Sequence, residues 1–63
     1  MRIDFERHLD DRVIYVQTLD GRYTVVECER MTDSEINPIP VRMKICRNLE
    51  KALEVAEKWA GIS

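Results

Sequence analysis

Chemistry-bearing residues are scarce in this chain. With one histidine, His8, and serine only at Ser34 and Ser63, little is available to assemble a nucleophile, a base and the third group that orients them. Two cysteines, Cys28 and Cys46, stand apart with no CxxC pair and no histidine beside them. The spacing of a zinc site is missing, and a single disulfide is the only crosslink they could make. Each lies in an apolar, strand-like run, so two buried thiols in a reducing cytosol are expected. Metal and cofactor are accordingly not expected, nor is enzymatic activity.

Long hydrophobic runs are absent as well, since none approaches the roughly 20 residues that span a bilayer. The opening MRIDFERHLDD turns acidic at Asp4, which is not the basic region of a secretory leader. A cytoplasmic protein without membrane contact is the expectation. Positive charge is not in surplus either. A formal net charge of −2 lowers the prospect of nucleic-acid binding without excluding a basic face.

What the chain does contain is one well-marked helix. In Asn48 to Gly61, NLEKALEVAEKWAG, the residues Leu49, Ala52, Leu53, Val55, Ala56, Trp59 and Ala60 fall on one arc at 100° per residue, and Glu50, Lys51, Glu54, Glu57 and Lys58 fill the rest. Asn48 can cap the first turn and Gly61 can end the last, while Glu50 and Lys58 suit the macrodipole.

Before it the chain reads as strands. Met1 to Leu9 alternates, with Met1, Ile3, Phe5 and Leu9 on one side and Arg2, Asp4, Glu6 and His8 on the other. After the polar break Asp10-Asp11, Arg12 to Thr18 and Tyr23 to Met31 are rich in β-branched residues, and the intervening Leu19-Asp20-Gly21-Arg22 signals a hairpin. Its register is open. A two-residue turn groups Val13, Tyr15, Val26 and Cys28 on one face. A three-residue turn with Gly21 in a bulge groups Ile14, Val16, Val26 and Cys28 instead, leaving Val13, Tyr15, Tyr23 and Val25 opposite. The second is preferred, because it offers the helix an aliphatic face and keeps the tyrosine hydroxyls wet.

Thr32 to Pro40 holds two prolines and no period, so a loop is expected. Val41 to Arg47 forms a fourth strand, with Val41, Met43 and Ile45 on one side and Arg42, Lys44 and Cys46 on the other. The whole is one small α+β domain over residues 1–63, a four-stranded antiparallel meander (β-β-β-β-α) whose C-terminal amphipathic helix packs on one face. In element order and in the helix pattern LEKALEVAEKW it resembles small βββα modules, among them antitoxin-like domains and phage-encoded inhibitors. That likeness is architectural and carries no function across; a binding or regulatory role is expected instead from the uncovered sheet face.

Candidate residues follow from this arrangement. A chain this short nets only about 3–5 kcal/mol from its core, so a partner would stabilise it. One helix covers one face of a sheet, which leaves the other as the working surface. Tyr15 and Tyr23 with Arg12 and Val25 are expected there as an aromatic platform for a protein partner or a second copy of the chain, joined by Ile36 and Ile39 from the loop as exposed apolar contacts. An alternative is nucleic-acid binding through the basic cluster Arg42, Lys44, Arg47 and Lys51, which also reads as the charged guard of an edge strand. Glu27 and Glu29 share a strand face but read as solvated carboxylates balanced by Arg12, Arg22 or Arg30.

Overall fold

The computed structural model describes residues 1–61. Four strands, β1 (Arg2–His8), β2 (Arg12–Leu19), β3 (Arg22–Arg30) and β4 (Ile36–Cys46), form one antiparallel sheet in the order β1-β2-β3-β4, followed by helix α1 (Leu49–Trp59). The expected meander with its C-terminal helix is therefore the fold.

The central hairpin sets the rest. Asp20 and Gly21 both take positive φ, 52° and 75°, and Leu19 pairs directly with Arg22. This is the type I′ geometry, which demands the left-handed region at both turn residues. Val16 then lies opposite Val25, and Tyr15 opposite Val26. The three-residue register expected above is thereby overturned. The right-handed twist of the strands suits a two-residue primed turn, and Asp-Gly tolerates it without a bulge. Because side chains alternate, one residue of slip exchanges the faces.

Ile14, Val16 and Val25, all fully buried, consequently face the helix together with Tyr23 and Cys46, and Phe5 and Leu9 pack beside them. Each large apolar side chain withdrawn from water contributes about 1.5–3 kcal/mol before entropy is counted. From α1 the small residues Ala52, Ala56 and Ala60 meet the sheet, flanked by Leu49, Leu53, Val55 and Trp59. The Asn48 side chain accepts the Lys51 N–H at 2.8 Å, and Gly61, at φ 79°, follows the last turn. Arg12 donates to the Trp59 carbonyl at 3.3 Å, a cation at the negative end of the helix.

Two departures from the expected strands have local causes. A bulge between Ile3 and Phe5 changes the register of β1, so Ile3 pairs with Gln17 away from the helix while Phe5 turns toward it. Asp4, the extra residue, takes the Thr18 hydroxyl and lies 2.7 Å from the Arg2 guanidinium. The expected loop shrinks to a turn at Met31–Glu35, where Met31 and Thr32 donate to the Glu35 carbonyl, and β4 runs through both prolines. An edge strand can hold proline because its outward groups need no ladder partner. Register shifts against Cys28 absorb the extra residues, and the Asn37 side chain accepts the Ile39 N–H at 3.0 Å.

Replacing Gly21 by alanine meets no steric neighbour, so its cost is conformational, about 1–2 kcal/mol for a left-handed Cβ residue. Thermal denaturation of Gly21→Ala should show a midpoint lowered by roughly 4–8 °C per kcal/mol lost.

Candidate functional site

With the hairpin register established, the face away from α1 can be read row by row. Direct partners share a face, so the first row runs Ile3, Gln17, Thr24, Ile45; the second Glu6, Tyr15, Val26, Met43; the third His8, Val13, Cys28, Pro40. Among the described residues no further element lies across it. Its floor is nonetheless dry. Val13, Val26 and Cys28 are only 2–3% exposed, shielded by the larger side chains around them. The central strands are thus apolar on both sides, as the near-continuous runs VIYV and VVEC imply.

Around that floor stand exposed hydrophobics. Of the large apolar side chains left in solvent, Ile3, Leu19, Ile36, Met43 and Ile45 all belong to this face by register. Met43 is 56% and Ile45 60% exposed, forming a ridge on the β4 side. On the β1 and β2 side lies a hollow of about 280 Å³, lined by Met1, Ile3, Glu6, Val13, Tyr15, Gln17 and Ile36. Burial first, and then the adjoining Cys28 side chain, push the Tyr15 phenol above its usual ionisation range.

The expected platform is not assembled. Tyr23 lies on the helix side and packs against the core, Val25 is fully buried beneath α1, and Arg12 reaches the helix end rather than the uncovered face. Of the expected protein-contact residues, Tyr15 and Ile36 remain on that face, and Ile39 is strongly exposed on β4. Ile3, Met43 and Ile45 join them: the alternation of the fourth strand puts Met43 and Ile45 on one side of β4, but only the hairpin register says which sheet face that is, and Ile3 reaches it through the bulge at Asp4.

A second concavity, about 390 Å³, runs between β4 and α1 and is lined by Arg42, Lys44, Lys51, Glu54, Val55, Lys58 and Trp59. Three members of the expected basic cluster converge there, joined by Lys58, whereas Arg47 is not among the lining residues. Much of this charge is already engaged. Arg42 holds the Glu27 carboxylate at 2.9–3.0 Å and lies 4.1 Å from the centre of the Trp59 ring, and Lys51 pairs with Glu54 at 3.8 Å. Glu27, 9% exposed, is therefore a buried carboxylate on the helix side, not the solvated one expected. Its partner is Arg42 rather than Arg12, Arg22 or Arg30.

The remaining chemistry-bearing residues are dispersed. Cys28 and Cys46 are both free and point to opposite faces, so no bridge joins them. His8 pairs with Glu6, and Val13 separates it from Cys28 along the third row. No helix among the described residues is long and apolar enough to cross a membrane, and no group of three or more potential metal ligands occurs among them.

Comparison with known proteins finds no matching family model, no matching curated protein and no matching solved structure. The architectural likeness to small βββα modules therefore rests on element order alone.

Breaking the Glu27–Arg42 pair should cost more than a surface ion pair, because the carboxylate is left desolvated. Arg42→Met is expected to lose about 1–2 kcal/mol, with a coupling to Glu27→Gln above the 0.2–1 kcal/mol typical of exposed pairs, measured by a denaturant double-mutant cycle. Tyr15 gives a pH test. Its folded-state ionisation lies above that of the unfolded chain, so its contribution is complete below pH 10 and falls as pH rises beyond it. Wild type should lose stability relative to Tyr15→Phe only as pH rises above about 10, followed by urea midpoints at each pH.

Proposed function

We propose that this chain is a small non-enzymatic binding or regulatory protein, of the accessory or inhibitor type, that acts by protein–protein contact through the sheet face away from α1. The observation that carries the reading is segregation. Exposed large hydrophobics gather on one face around a dry floor of Val13, Val26 and Cys28, while the other face is closed by the helix. A contiguous apolar patch rimmed by polar residues is the usual mark of a contact surface. Glu6 and His8 on β1, with Arg22 and Arg30 at the ends of β3, supply that rim.

Nucleic-acid binding in the groove between β4 and α1 is the weaker reading. Arg42 and Lys51 there already have carboxylate partners, and Glu54 contributes negative charge to the same lining. Lys44 and Lys58 are left as its principal cations.

Immobilised wild-type protein and its Met43→Lys/Ile45→Lys variant, exposed to extract of the source cells, separate the two. Both positions are solvent-exposed, so the variant should keep its circular dichroism spectrum while losing at least about tenfold in retention of the bound chain. Equal retention by the variant overturns the reading. Loss in Lys44→Glu instead, with strong salt dependence, transfers the function to the basic groove.

A further inference from the structure

We infer that the occupant of the uncovered face is a second copy of this chain, bound about a twofold axis along the strands that seats the Met43 and Ile45 ridge of each protomer in its partner's hollow. This rests on the protein-contact reading above and adds the partner's identity and orientation.

Shape is the first ground. Ridge and hollow occupy opposite sides of one face, β4 carrying the protruding side chains and β1 with β2 carrying most of the concavity. An isologous interface requires that a single patch hold both halves of the fit, and this one does. Rotation about an in-plane axis parallel to the strands places β4 of one copy over β1 and β2 of the other, ridge into hollow. Rotation about the perpendicular in-plane axis would place β1 over β1 and β4 over β4, so that ridge met ridge.

Charge selects the same axis. In the three rows, Glu6 is the charged residue nearest the centre, and it lines the hollow. With the axis along the strands, the two Glu6 carboxylates lie at opposite margins of the interface, about three strand spacings or near 14 Å apart. The perpendicular axis would bring them to the same side of the interface. Glu6 meets no like charge from Met43 or Ile45 of the other copy, and it keeps His8 as its polar partner at the margin of the interface.

Area is sufficient. Four strands of seven or more residues make a face of roughly 20 × 25 Å, about 500 Å² per copy, which is the size of a small reversible interface. Pairing through an edge is the competing route to a dimer. On β4 it is hindered by Pro38 and Pro40, which lack N–H donors, and on β1 by the bulge at Asp4.

The test is multi-angle light scattering of wild type and of Met43→Lys and Ile45→Lys across a concentration series, with mixed isotope-labelled samples for intermolecular contacts. Wild type should reach twice the chain mass, and each variant should raise the dimer dissociation constant at least about tenfold with an unchanged circular dichroism spectrum. Intermolecular nuclear Overhauser effects should join the Met43 methyl group of one copy to Tyr15 or Ile3 of the other. A dimer that survives both substitutions, or contacts joining Met43 to Met43, overturns the inference. If wild type stays monomeric at high micromolar concentration while a different protein is retained by wild type and lost by the variants, the inference fails and the protein-contact reading stands. A monomer from which the variants lose nothing removes both.

Discussion

The left-handed pair Asp20 and Gly21 is the constraint from which the remaining geometry follows. Two residues at positive φ leave no slack in the hairpin, so Val16 meets Val25 and every other pair on β2 and β3 is assigned. Since alternate residues point to opposite faces, the turn decides which apolar residues the helix covers and which it leaves. Ile14, Val16 and Val25 go under α1, while Val13, Tyr15, Val26 and Cys28 go to the other side. With VIYV and VVEC at their centres, the two middle strands offer little polar alternation to correct a slip. The turn therefore carries information that would otherwise reside in the pattern.

Burial on both sides of β2 and β3 explains the division of labour among the other elements. The alanines of α1 allow close approach to the sheet, and the larger Leu49, Leu53 and Trp59 close its margins. On the opposite side small residues form the floor, and side chains from the edge strands stand around it. Arg30 binds the connections at one end, donating to the Leu9 carbonyl at 2.9 Å and the Asp33 carbonyl at 3.4 Å. Glu27 and Arg42 do the same between β3 and β4, where Trp59 provides an apolar wall for the guanidinium. Polar contacts at the periphery thus hold the margins of a sheet whose centre is held by packing.

Much of this architecture was legible in the residues themselves. The helix from its Asn48 cap to Gly61, the strand order and the side-to-side assignment of Arg42, Lys44 and Cys46 against Met43 and Ile45 all follow from periodicity and end signals. Three things did not. The hairpin register depended on a choice between two turns compatible with the same Asp-Gly pair, and preference for keeping both tyrosines wet selected the wrong one. The start of β4 was hidden by Pro38 and Pro40, which argue against a strand except at an edge. The bulge at Asp4 separated Ile3 from Phe5 through a side-chain contact with Thr18, a tertiary feature with no signature in a single strand. The candidate surface suffered most, because each of these decides a face rather than an element.

The stacking of Arg42 on Trp59 has a practical corollary. The chain holds a single tryptophan, and it sits where the end of α1, the edge strand and the Glu27–Arg42 ion pair converge. Its indole emission, excited at the red edge to leave out the two tyrosines, therefore comes from one known junction. Detachment of the helix from β4 would withdraw a cationic neighbour from the ring and admit water, altering intensity and colour together. The molecule carries its own optical gauge of whether cylinder and sheet remain joined, and no dye need be attached to read it.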